Sequence, residues 1–147
     1  MKKMIAMLCC ATALTWAGCS DDDDTDKVDM SLLTGKWEVT KQYDGELDQW
    51  YDFGEASGFV QTIELRMDGT GTKKTIETYQ GQVDTYEYDF TYTVHGKTIT
   101  MTYEEDEEYP STGYIEQLTT DELIVASSYE GEDGRTYTDK EYFKRIG

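Results

Sequence analysis

One histidine and three cysteines limit what chemistry this chain of 147 residues could perform. His95 stands in a His-Gly turn between two alternating segments, where a solvated turn residue is expected. Acyl transfer needs a nucleophile beside a general base, and no second imidazole is present to serve a serine or a thiol. Zinc likewise lacks its usual nitrogen and sulfur ligands. Carboxylates are plentiful, at 31 Asp and Glu. Glycosidase chemistry, however, needs two of them about 5–9 Å apart across a cleft, and their spacing singles out no such pair. The consecutive run Glu104–Glu108 places adjacent carboxylates on opposite sides of the chain, whereas a calcium loop spaces its acids around a central glycine. A solvated hairpin tip is the expectation there. The inventory points to binding rather than catalysis, with no metal and no cofactor.

The residues suited to binding are aromatic. Tyrosine occurs 12 times, tryptophan 3 and phenylalanine 4. Trp50, Tyr51 and Phe53 lie together in a long segment, Asp44 to Gly58, that lacks clean periodicity. Tyr88 and Tyr92 share one face of a later segment, and Tyr103 ends the next. These six are the candidate contacts for a small apolar or aromatic ligand, because long loops in compact domains are often lids or binding loops. The same side chains could instead fill a small core. The formal charge of −18 excludes a nucleic-acid partner, since a phosphate backbone requires a basic footprint.

The N-terminus is a processing segment. Lys2 and Lys3 precede an apolar run, Met4 to Trp16, shorter than the roughly 20 residues a spanning helix needs. Ala17, Gly18 and Cys19 follow. This arrangement resembles a bacterial lipoprotein signal, in which a small residue precedes the cysteine that becomes the lipidated mature terminus; Trp16 stands where the family usually has an aliphatic residue. The resemblance implies cleavage after residue 18, acyl chains such as palmitate on Cys19, and attachment to the outer membrane. Cys9 and Cys10 leave with the leader, so no disulfide is available to the mature chain. Ser20-Asp21-Asp22-Asp23-Asp24 cannot pack and forms a solvated tether through residue 30. It also resembles the export signal of Bacteroidetes-type surface lipoproteins, which implies exposure on the cell surface.

From Ser31 onward the pattern is one of short strands, rich in tyrosine and threonine. Gly35 to Tyr43 alternates, with Trp37, Val39 and Tyr43 on one face. Phe59 to Met67 places Ile63, Leu65 and Met67 inward before the turn Asp68-Gly69-Thr70-Gly71. Thr72 to Tyr79 is a more polar strand. Tyr86, Tyr88, Phe90, Tyr92 and Val94 alternate with polar residues over a stretch no helix would tolerate. Lys97 to Tyr103, Gly113 to Thr119, Glu122 to Tyr129 and Arg135 to Ile146 complete the set. No stretch has convincing helical periodicity, although a short turn of helix fits within Asp44 to Gly58.

Eight consecutive strands joined by short turns must stack or close, and closure removes the exposed edges. The expected fold is all-β: an eight-stranded antiparallel up-and-down β-barrel over residues 31–147, monomeric, with an interior filled by side chains or holding one small ligand. Gly35-Lys36-Trp37, the Asp68-Gly69-Thr70 turn and the terminal Glu141-Tyr142-Phe143-Lys144-Arg145-Ile146 resemble the small bacterial lipocalin-like domain found in lipoproteins. The resemblance implies that Trp37 closes one barrel end beneath a basic side chain of the last strand, with Arg145 the matching residue, and that the first long loop lies over the open mouth. Tyr142 and Phe143 are adjacent and only one can face inward; Phe143 inward gives Arg145 to Trp37, whereas Tyr142 inward gives Lys144. Two functions follow: a surface-anchored barrel binding a small apolar or aromatic ligand, or an accessory lipoprotein with a filled barrel that meets a protein or glycan through its outer face.

Overall fold

A computed structural model describes residues 27–147. The leader, Cys19, Ser20 and Asp21 to Asp24 lie outside the described residues.

The described residues open with one helical turn, α1 (Met30–Leu33), whose first amides are capped by the Asp29 carboxylate accepting from the Ser31 amide at 2.9 Å. Val28 and Met30 pack against the core and Leu33 is fully buried. The folded domain therefore begins before residue 31. The tether boundary at residue 30 is corrected accordingly, because three apolar side chains here find a place under the barrel.

Nine strands follow: β1 (Gly35–Asp44), β2 (Gln49–Asp52), β3 (Phe59–Leu65), β4 (Thr70–Tyr79), β5 (Gln82–His95), β6 (Thr98–Tyr103), β7 (Ser111–Leu118), β8 (Glu122–Glu130) and β9 (Thr136–Arg145). A 3-10 turn, Glu55–Ser57, separates β2 from β3. Every neighbouring pair is antiparallel, and β1 also pairs with β9. That pairing closes β1 and β3–β9 into an eight-stranded up-and-down barrel. The ninth strand, β2, lies in the segment without periodicity. It forms a short hairpin with the outer end of β1, registered Tyr43 to Trp50.

Apolar side chains concentrate at the α1 end of the barrel. Trp37, Val39, Leu65, Phe90, Ile99, Ile115, Leu123 and Phe143 are buried there, each at most 6% exposed. At about 25 cal/mol per Å2 of apolar surface removed from water, this layer supplies the dominant favourable contribution to folding. Gly71 is opposite Phe90 in the β4–β5 register, and a Cβ there would strike the Phe90 ring. The absence of a side chain at residue 71 is what lets that ring lie flat across the barrel floor.

Two inward assignments need correction. Tyr43 does not share the inner face with Trp37 and Val39. The β1–β9 register slips between Val39 and Lys41, so Val39 pairs with Phe143 but Lys41 pairs with Tyr142. This bulge at Thr40 inverts the alternation, turning Lys41 and Tyr43 outward and Gln42 inward. Met67 is 65% exposed, because β3 ends at Leu65 and the chain has already turned. The Arg66 amide donates to the Thr70 carbonyl at 2.9 Å, leaving Met67 in the turn.

Candidate functional site

The two ends of the barrel differ. At the α1 end, Trp37 is fully buried and its Nε1 donates to the Leu33 carbonyl at 2.9 Å. Phe143 faces inward beside Val39, so Arg145 lies on the inner side of β9 directly opposite Trp37. The guanidinium carbon is 4.2 Å from the indole ring centre. Its nitrogens donate to the carbonyls of Leu32, of Thr34 at 3.0 Å and of Thr120 at 2.6 Å. One cation thus fastens α1, the β7–β8 turn and the tryptophan face. This end is shut.

The opposite end is open. β5 is the longest strand at 14 residues, yet β6 pairs only with its Phe90–His95 half. From Gln82 to Asp89, β5 is supported by β4 alone, which leaves a gap in the wall above Phe90. The Tyr86 and Tyr88 side chains share a face with Phe90 and Tyr92, but they project into this gap, 42% and 37% exposed. The loop after β6 bends across it, its Glu104 amide donating to the Asp89 carbonyl at 3.3 Å. A cavity of about 530 Å3 results. Its walls are the rings of Phe59, Tyr86, Tyr88 and Tyr103, its inner surface carries Gln61, Lys73 and Thr75, and its lip carries Glu77, Glu105 and Asp106. Such a volume falls within the range of small-molecule sites, which are largely apolar with a few placed polar groups.

Two partly buried titratable groups mark this interior. Glu141 points inward from β9, two residues before Phe143, and burial pushes its carboxyl above the usual range; Lys73 across the barrel pulls the other way, and Asp139 adds to the elevation. Tyr103 is raised by burial first and by the Glu141 charge second. Glu141 makes neither an ion pair nor a hydrogen bond through its carboxyl among the described residues. No cluster of three or more His, Cys, Asp or Glu among the described residues is arranged to hold a metal.

The six aromatic candidates separate. Tyr88 and Tyr103 line the cavity. Tyr51 and Phe53 border a neighbouring hollow of about 390 Å3, divided from the first by Phe59, whose ring meets Phe53 edge-on at 5.1 Å. Tyr92 is not a cavity residue. It is 5% exposed in the core, and its hydroxyl donates to the Arg66 carbonyl at 2.6 Å. Trp50 is not one either, because the bulge in β1 carries its partner Tyr43 outward. It packs at a tilt on the outer surface against Tyr43 at 5.0 Å and Tyr142 at 5.5 Å, with the Lys41 ammonium 4.8 Å from its ring. The sequence reading set Tyr86 on the same face as Tyr88, and the cavity keeps it there, but it missed Phe59, Lys73, Glu77 and Glu141 as inward-facing groups. Alternation on β4 was the available signal, but Lys73, Thr75 and Glu77 resemble a solvent face because the barrel interior is polar at this level.

A closed, eight-stranded up-and-down barrel with one plugged end and one open mouth is the lipocalin architecture. The lipocalin-like domain family matches residues 33–125, and the chain belongs to that family. Among the solved structures that share the fold are two from Bacteroides species. A lipocalin-like protein from Bacteroides uniformis is 16% identical, with 78% of this chain and 98% of that chain covered at a TM-score of 0.51. An uncharacterized protein from Bacteroides eggerthii is 10% identical, covering 77% and 98% at a TM-score of 0.50. No curated protein matches the sequence.

Proposed function

We propose that this protein is a surface-anchored lipocalin-like lipoprotein that binds a small molecule with an apolar or aromatic body at the mouth of its barrel. The observation that carries this reading is the open cavity of about 530 Å3 walled by Phe59, Tyr86, Tyr88 and Tyr103. A protein with no use for its interior would fill it, as the opposite end does with Trp37, Phe90 and Phe143. The chemistry is binding without turnover. His95, the one imidazole in the sequence, does not line the cavity.

Anchorage rests on the leader and on Cys19, with Ser20 and Asp21 to Asp24 directing the lipidated protein to the cell surface. The barrel works as a monomer in this reading, held to the outer membrane by its acyl chains. The accessory alternative keeps one specific support. The exposed Trp50, packed at a tilt against Tyr43 and Tyr142 with Lys41 over its ring, forms an aromatic cluster on the outer face suited to a protein or glycan contact.

Native mass spectrometry of protein purified from its own cells tests the first reading. A bound small molecule, lost when Tyr88 and Tyr103 are both changed to alanine, is the expected result. Empty protein that binds no apolar or aromatic probe would favour the outer face.

A further inference from the structure

The charges around the cavity are unbalanced. Glu77, Glu105 and Asp106 stand at its lip, and none of their carboxylates has an ion-pair or hydrogen-bond partner among the described residues. Lys73 is the only lysine or arginine on its wall. Behind it lies Glu141, surrounded by protein yet keeping some surface open to the barrel interior. The carboxyl is itself without an ion pair, and its charge opposes that of Lys73. Between lip and floor the surface is aromatic, and the ring faces of tyrosine and phenylalanine carry partial negative charge.

We propose that this cavity selects organic cations, amines carrying an apolar or aromatic body, over neutral or anionic molecules of the same shape. The inference rests on the reading that the barrel binds a small ligand and adds the ligand's charge. An ammonium group at the mouth would be lined by the rings of Tyr86, Tyr88 and Tyr103 and by the carboxylates of Glu77, Glu105 and Asp106. The uncharged body then lies inward against Phe59. Glu141 is a positioning residue. Its carboxylate offsets Lys73, which left unopposed would make the floor attractive to an anion. The field of a chain with formal charge −18 acts in the same direction, concentrating cations at the entrance and turning anions away.

Isothermal titration of the full chain with tryptamine, tryptophol and indoleacetate tests the proposal, since the three share one ring system and differ in charge. Tryptamine should bind about tenfold tighter than tryptophol, with indoleacetate weakest. Lys73→Gln should widen the gap between tryptamine and indoleacetate, and Glu141→Gln should narrow it. A merely structural role for either residue would shift all three probes together. Glu105→Gln with Asp106→Asn changes only exposed loop residues, which leaves the fold intact. That variant should weaken tryptamine and flatten its salt dependence while sparing tryptophol. If tryptophol or indoleacetate binds as tightly as tryptamine, cation selection is overturned and the binding reading stands. If none of the three binds, both fall.

Discussion

Arg145 lies over Trp37, the guanidinium carbon 4.2 Å from the ring centre, with the two residues directly paired across β9 and β1. Four backbone carbonyls, from Leu32, Thr34, Thr120 and Gly147, accept from the same guanidinium. A charge held this way satisfies chain ends that no strand partner reaches, and it seals the barrel without a buried counter-ion.

Trp37→Ala should cost about 3–5 kcal/mol, since it removes a fully buried indole from a close-packed floor. Arg145→Ala should cost about 2–3 kcal/mol through the lost ring contact and the carbonyls left without their donor. Chemical denaturation of the two single variants and the double variant reads the coupling. We expect the double loss to fall short of the sum by about 0.5–2 kcal/mol, and strict additivity would mean the two residues act independently.

Gly71→Ala should destabilise by about 1–3 kcal/mol, because the new methyl group would strike the Phe90 ring and the backbone carbonyl oxygen of Glu64. Combining it with Phe90→Leu should recover part of the loss in a thermal melt. No recovery would place the strain elsewhere.

Glu141 gives a pH dependence whose sign is fixed. Burial holds its carboxyl above the range of the unfolded chain, so the folded protein keeps that proton to a higher pH. Its contribution to stability is therefore greatest below the unfolded value, about 4.3, and declines as pH rises through the folded value. The Lys73 ammonium moderates this decline, and Asp139 and Tyr103 are the other titratable groups near the carboxyl. Glu141→Gln removes the titration. Its melting temperature relative to the parent should become more favourable from pH about 4 to neutrality. A difference constant with pH would show the carboxyl to be unperturbed.

Cys19→Ala should move the protein from the membrane fraction to the soluble fraction of its own cells, since no other residue is offered to lipid in this reading. Persistent membrane attachment would place the anchor elsewhere.

Replacing Asp21 to Asp24 with alanine should preserve lipidation and reduce cleavage by protease added to whole cells, because the barrel would then face the periplasm. Unchanged surface cleavage would leave the acidic run as a tether alone.

The strands and their closure were legible in residue order because β3, β5 and β6 carry a clear period-two pattern and the turns have residues that bend easily, such as Gly69 and Gly96 at positive φ. Glycine, tryptophan and a basic last strand likewise marked the closed end. Three things were decided only when the chain folded. The inward face of β9 rests on whether Tyr142 or Phe143 meets Val39, and the β1 register, with its bulge at Thr40, selects Phe143. The same bulge sends Tyr43 and Trp50 outward, which no local propensity encodes, since one extra residue inverts every later side chain. The cavity depends on the mismatch in length between β5 and β6, a relation between strands rather than a property of either. Polar Lys73, Thr75 and Glu77 then face an interior, with Glu141 across from them, because the barrel wall is incomplete above Phe90.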